Sequence, residues 1–252
     1  MPEAEEAGSH EEAVTREFER AAHSFARRTH GRFDHLNVVD FARVRPAATV
    51  AEVGAGTGNF LRLFAAAAER LVALDLTPGM LHEARRHADM LLVAADGKHL
   101  PLTSRSVDLV ASAQVLHHVL EPLSFLNEMR RVCAADGKVL IVDQVATERF
   151  EEAVAMTELE RLRDPTHAAS RPVSALRILL ASAGLDVVDE RLVESGQRFS
   201  DWMWAEEFPR ARIDAVRDFI ERRGVETGLE FERDGDDWVF VRRRVMLLAE
   251  RA

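Results

Sequence analysis

The chain has 252 residues, 47% of them apolar and 30% charged, with a formal net charge of −10. That composition describes a globular protein with an ample core and argues against a broad nucleic-acid footprint, which needs a basic face. One cysteine, Cys133, excludes an intrachain disulfide framework, fits a reducing compartment and, lying in an apolar helical stretch, reads as a packing residue. No apolar run approaches the roughly 18 residues of a membrane span. The acidic, polar stretch from Met1 to Glu12 does not read as a signal peptide, so the expected location is cytoplasmic.

Residues 1 to about 11 are expected to fray. Val14, Phe18, Ala21 or Ala22, and Phe25 then recur at helical spacing to about Arg28. A second apolar pattern (Phe33, Leu36, Val39, Val44) ends at Pro46. The stretch that follows organises the rest of the chain. A strand-type run, Thr49-Val50-Ala51-Glu52-Val53, enters the turn Gly54-Ala55-Gly56-Thr57-Gly58, and a helical pattern (Phe60, Leu61, Phe64, Ala67, Ala68) follows. Gly54 and Gly58 permit the tight turn, and Gly56 lets a ligand approach the backbone closely. Strand, turn and helix make the first corner of an α/β nucleotide-binding sheet, whose ligands sit beyond the carboxyl ends of the strands. The glycines read G-x-G-x-G, with Asn59 where a dinucleotide fingerprint has its third glycine. Glu52, beside the turn, suits a ligand with a cationic ammonium better than a pyrophosphate. An NAD-dependent oxidoreductase is therefore disfavoured.

Arg70 to Asp75 reads as a second strand ending on a carboxylate, seventeen residues beyond Gly58. That is near the ~20-residue offset at which such an acid accepts from ribose hydroxyls. Thr77 as N-cap and Pro78 as first residue start a helix. Leu91 to Gly97 is a short strand ending in Asp96-Gly97, and Ser106 to Ser112 is a fourth, followed by Gln114 and the pair His117-His118. A helix from about Pro122 to Ala134, a turn at Asp136-Gly137 and a strand from Lys138 to Asp143 come next. Five alternating strand–helix units specify a parallel doubly wound sheet. Regular alternation then stops. A helix from Phe150 to Leu162, a polar loop through His167, a helix from Pro172 to Ala183 closed by Gly184, and a strand from Val187 to Val193 follow. Trp202 and Trp204 either cap a pocket or anchor a helix. A further helix (Ile213, Val216, Phe219, Ile220) precedes a last strand from Asp237 to Leu248.

Glu52-x-Gly54-x-Gly56-x-Gly58, the run from Ala73 to Leu81, Asp96-Gly97 with Leu100-Pro101, and the stretch from Gln114 to His118 together resemble the motifs of class I S-adenosylmethionine (SAM)-dependent methyltransferases. The small-molecule branch, with its ubiquinone and menaquinone methyltransferases and natural-product (secondary-metabolism) enzymes, is the most similar. The resemblance covers about Phe25 to Leu248. It implies a Rossmann-like α/β fold with a seven-stranded sheet, mostly parallel with an antiparallel last strand and helices on both faces. It also implies an N-terminal helical lid over residues 1–45 and a methyltransferase domain over 46–252, with helical insertions at about 148–170 and 196–224. The cofactor implied is SAM, with S-adenosylhomocysteine (SAH) as product, held by Glu52, Gly54, Ala55, Gly56, Gly58, Asp75, Leu76, Met80, Asp96, Gly97 and Gln114. Leu76 and Met80 would flank the adenine, and Asp96 and Gly97 would meet its edge.

His117, His118, Asp143 and His167 are the candidate catalytic residues, because a hydroxyl acceptor benefits from a base near neutral pKa. No cluster of metal ligands is read from the sequence, so no metal is expected. The expected partner is a small-molecule acceptor methylated at O, N or C, with no nucleic acid and no membrane span, in a monomer or homodimer. Two alternatives stand beside this: a SAM-binding protein of the same fold that catalyses a non-methylating reaction such as cyclisation, and a non-catalytic binding module.

Overall fold

The computed structural model describes residues 9–86, 89–204 and 208–252. Positions 1–8, part of the segment expected to fray, lie outside the described residues. Ser9 already caps a helix, α1 (His10–Arg28), through a reciprocal pair of bonds with Glu12 that satisfies two orphan amides.

Eight strands form one sheet: β1 (Thr49–Val53), β2 (Arg70–Asp75), β3 (Leu91–Ala94), β4 (Val107–Ala113), β5 (Cys133–Gln144), β6 (Leu185–Arg198), β7 (Glu232–Asp234) and β8 (Asp237–Arg251). Their order is β3-β2-β1-β4-β5-β8-β6, with short β7 paired to β8. β1 to β5 pair in parallel, and β8 runs antiparallel to both β5 and β6. The expected seven-stranded sheet is present, with β7 added as a hairpin arm.

Successive side chains of the central strands alternate between two cores, as a strand's period of two requires. Ala51, Val72, Val110, Ile141 and Leu247 pack on one face against α4 (Pro122–Val132) and α6 (Val173–Ser182). Val50, Leu71, Leu109, Leu140 and Leu248 pack on the other. That second face is covered by Phe33, Leu36 and α2 (Val38–Ala42), with Phe60, Leu61 and Phe64. Residues 33–42 are therefore sheet packing. Among the described residues of the span expected to form a lid, α1 lies over the cleft, with Thr29, Arg32 and Phe33 also lining it.

Three expected elements differ. The helical pattern after Gly58 makes only a 3-10 turn, Leu61–Phe64, because three aromatic or branched side chains are drawn straight into the core. Cys133 is the first residue of β5 rather than part of a helix, and burial pushes its thiol up to about 11. The expected turn at Asp136-Gly137 is an irregularity within β5, where the partner of β4 jumps from Cys133 to Lys138. Helix α3 (Pro78–Ala84) begins at Pro78 as expected, but the Thr77 side chain caps nothing.

β6 and β8 run on past the sheet as a two-stranded ribbon, from Glu194 and Arg243 to Arg198 and Val239. The ribbon carries a third core, built by α5 (Phe150–Arg163), α7 (Phe199–Met203) and α8 (Arg210–Arg223). Met156, Leu159, Trp202, Phe219 and Phe240 lie at its centre. The stretches 148–170 and 196–224 thus form one cap. Among the described residues no helix is long and apolar enough to cross a membrane.

Leu248 is fully buried at the middle of the sheet. Leu248→Ala is expected to lower stability by about 2–5 kcal/mol, read from the urea midpoint at unchanged slope, through the cavity it leaves.

Candidate functional site

β1 lies between β2 and β4, so the connections leaving its carboxyl end diverge and open a crevice there. A cavity of about 180 Å³ occupies it. Gly54, at φ +75°, could carry no side chain, because a Cβ would lie 2.4 Å from Val115 Cγ2. Its amide and that of Ala55 both donate to the Leu74 carbonyl, fixing the turn to β2. Gly56 (φ +53°) has open space where a Cβ would stand, and its amide donates to Asp75 Oδ2 at 2.7 Å. Asp75 Oδ1 accepts from the Thr77 amide at 2.8 Å, so the carboxylate is aimed before any ligand arrives. Asp96 Oδ1 accepts from the Lys98 amide. Leu76, Met80, Ala55 and Gly97 line the same cavity. Gly58 does not: its φ of +73° and contacts with Ala84 and Met90 make it a packing residue.

Glu52 is 1% exposed, lines the cavity, and its Oε2 has no hydrogen-bond partner among the described residues. Gln114 Nε2 is likewise unsatisfied, and Gln114 sits at φ 58°, a left-handed conformation that costs a non-glycine residue of order 1 kcal/mol. An unpaired buried carboxylate, an unpaired amide donor and an open glycine cradle fit a ligand bearing a cationic amino-acid end and a ribose. The cofactor implied by the sequence motifs has both.

α1 closes over this cavity and is tied to its rim at three points. His10 Nε2 meets the His118 carbonyl oxygen at 2.7 Å, Lys98 Nζ pairs with Glu11 at 2.7 Å, and the Gly79 amide donates to Glu19 Oε2 at 2.8 Å. Below it, Asn59 Nδ2 donates to Thr29 Oγ1 (2.7 Å) and Thr57 Oγ1 (3.1 Å), joining the end of α1 to the glycine turn.

A second cavity of about 270 Å³ lies between α1, the cap and the sheet edge. It shares Phe18, Phe25, Arg32, Gln114 and His118 with the first, so the two adjoin. His117 lines it and meets Asp143 Oδ1 through Nδ1 at 2.5 Å. Asp143 also accepts the amides of His117 (3.1 Å) and Gln144 (2.7 Å). Burial raises the Asp143 carboxyl to about 6 and holds the His117 imidazole well below its ordinary value, with His118 pushing the same way. His117 is thus a neutral imidazole whose Nδ1–H is committed to Asp143, which leaves Nε2 as the acceptor. His118 Nδ1 lies 3.1 Å from the Thr166 carbonyl and its ring stands edge-on to Phe18.

His117, His118 and Asp143 are therefore brought together, with Asp143 behind His117 rather than on the cavity wall. His167 lines neither cavity. Its ring is buried against Ser170 Oγ (3.0 Å), and burial lowers it to about 3. The two tryptophans divide: Trp202 anchors the cap core, and Trp204 lines the second cavity. Gln144, which leaves strand five beside Asp143 as the sequence suggests, also lines it, whereas sequence reasoning missed Arg32, Arg163 and Arg242, which line it too. The available signal was Arg242-Arg243-Arg244, three charges inside an otherwise apolar last strand.

The Glu52 carboxyl is held well above the usual range, by burial first and by Asp75 in addition, against a backbone bond from Leu61. The unfolded chain loses this proton near 4.5 and the native state at higher pH. Native protein therefore binds more protons in that interval, and the contribution of Glu52 to stability falls as pH rises through it. Glu52→Gln is expected to stabilise the ligand-free protein by about 1 kcal/mol or more at neutral pH. The gain should vanish towards pH 4.5. Urea midpoints across that range measure it.

A family described as "Methyltransferase domain" matches residues 51–141. The demethylmenaquinone methyltransferase of Renibacterium salmoninarum is 37% identical over 107 residues, 42% of this chain and 45% of that protein. The chain thus spans under half the length of that relative. The methyltransferase YcgJ of Bacillus subtilis, whose activity is uncharacterised, is 23% identical over 172 residues, 66% of this chain and 68% of that one. Its crystal structure superposes with a TM-score of 0.79 at 19% identity, covering 86% of this chain and 97% of that one. The [4+2]-cyclase SpnF superposes with a TM-score of 0.70 at 15% identity, covering 97% of both chains, which shows a shared fold alone. Over residues 51–141 the chain is thus similar to methyltransferases, and its doubly wound sheet is the fold that their solved structures share.

Proposed function

We propose that this protein transfers a methyl group from SAM to a small-molecule acceptor held in the second cavity. The observation that carries the reading is the adjoining pair of cavities. One has the glycine cradle and unpaired Glu52; the other is walled by aromatics and His117; they meet at Gln114 and His118. SAM supplies an electrophilic methyl on a sulfonium. The chain's own residues do the rest. Asp75 and Glu52 are aimed at the ribose and ammonium positions, while Gln114 stands at the junction between the sites. α1, fastened by His10, Glu11 and Glu19, excludes water from a reaction that disperses charge. For a hydroxyl acceptor, His117 Nε2 takes the proton and Asp143 steadies the imidazolium that forms.

The relatives' names point the same way, one being a demethylmenaquinone methyltransferase and another a malonyl-[acyl-carrier protein] O-methyltransferase. A SAM-binding cyclase is the alternative that the likeness to SpnF raises, and it differs in consuming no SAM.

Calorimetry with SAM and SAH is expected to give binding that weakens at least tenfold in Asp75→Ala. Absence of binding by the wild type would sink the reading. With methyl-labelled SAM, label should pass to the acceptor; turnover of an acceptor with the label retained on SAM selects the cyclase alternative. For a hydroxyl acceptor, His117→Gln should lower kcat about 10²–10⁴-fold with little change in SAH affinity.

A further inference from the structure

The second cavity has a charge pattern that methyl transfer alone does not require. Arg32, Arg163 and Arg242 line it, and Arg244 lies behind them. Arg242 and Arg163 share one buried carboxylate, Glu160, at 3.2 and 3.3 Å. Arg32 has none. Among the described residues it donates to the neutral Gln114 Oε1, at 2.9 Å. The carboxylates on the cavity wall are committed elsewhere: Glu17 to Arg20 and Arg212, and Asp164 to Thr166 and His118. A chain of net charge −10 thus places an excess of buried guanidinium at one spot. Guanidinium stays protonated in proteins, and burying it without a counter-charge is costly. Burial first, then the neighbouring Arg244, Arg242 and Arg163, press against the charge on Arg32, and only Asp143 favours it. A planar donor fork of this kind matches a carboxylate or phosphate.

Part of the same wall is aromatic. Trp204 and Phe208 stack in parallel at 6.3 Å, and Phe25 meets Trp204 edge-on at 5.7 Å. Trp204 is held at φ 47°, a conformation rarely adopted by a large side chain.

We propose that the acceptor is a flat, apolar molecule carrying an anionic group, with the anion held by Arg32 and Arg242 and the flat body against Phe25 and Trp204. This rests on the second cavity being the acceptor site. The shared chemistry is an oxyanion with two oxygens that accept from a guanidinium fork, and a carboxylic acid and a phosphate monoester are its two sources.

The test is calorimetric titration of the SAH-saturated wild type with 2-naphthoate, 2-naphthyl phosphate and the neutral 2-naphthamide. At least one anion is expected to bind tenfold or more tightly than the amide. The stronger of the two anions identifies the source. The preference should collapse in Arg32→Gln and in Arg242→Gln and be partly retained in Arg32→Lys, with thermal unfolding confirming that each variant is folded. Equal binding of amide and anions by the wild type, or no binding of either anion at millimolar concentration, overturns the proposal whatever the variants do. Failure of SAH itself to bind would instead strike at the methyltransferase reading, so the two failures are distinguishable.

Discussion

The position of β1 is the constraint from which the rest follows. It hydrogen-bonds to β2 on one side and β4 on the other, so the loops leaving its neighbours must part. A parallel sheet buried on both faces can place polar chemistry only at its strand ends. That is where Glu52, Asp75, Gln114 and Asp143 are found, each at or beside the carboxyl end of its strand. The backbone there is shaped by close approach: Gly54 against Val115 leaves no room for a side chain, and Gln114 accepts a left-handed conformation to follow β4 into the junction. Strain held by a rigid sheet is a device for positioning, since the surrounding ladder over-determines it.

Charge is distributed with the same economy. The first cavity holds carboxylates in excess of their partners; the second holds guanidiniums in excess of theirs. Each imbalance is unfavourable in the free protein, because buried charge without a counter-ion loses hydration that nothing replaces. The two opposite imbalances adjoin at Gln114, whose Oε1 faces Arg32 and whose Nε2 has no partner. A neutral amide can stand between a basic and an acidic site without neutralising either, since it donates to one and accepts from the other.

The lining of the first cavity was largely legible in the sequence because it is local. Each motif lies within a few residues of a strand end, and the strand places it. Gly58 was the exception: its spacing belongs to the turn, but its surroundings are α3, which only the packing reveals. The acceptor side was less legible. The cap is assembled from α5, α7, α8 and the extension of β6 and β8, segments separated by up to 90 residues and joined only by a shared core. His167 looked catalytic by its loop and is a buried structural ring. Arg32 carries no motif and lies at the junction of the two cavities. No periodicity distinguishes these cases, because burial on an irregular segment is decided by what folds over it.

The histidine pair shows how geometry divides residues that sequence leaves equal. His117 and His118 are adjacent, with ring centroids 4.3 Å apart. Yet His117 turns its Nδ1 to Asp143 at the end of β5, while His118 turns its Nδ1 to Thr166 in the loop after α5. The first is backed at 2.5 Å by a carboxylate that burial keeps close to sharing its proton, whereas the second has the Thr166 carbonyl and hydroxyl at its Nδ1 and a carboxylate, Asp164, only at 4.0 Å from its Nε2. A base needs a partner that gains from the positive charge it acquires, and Asp143 gains where a neutral carbonyl gains little. His118 instead contributes its backbone carbonyl to His10 of α1 and its ring to the edge of Phe18. The neighbour of His117 is therefore the residue that ties α1 to the rim of the first cavity, so the packing of α1 there also fixes the loop that carries His117.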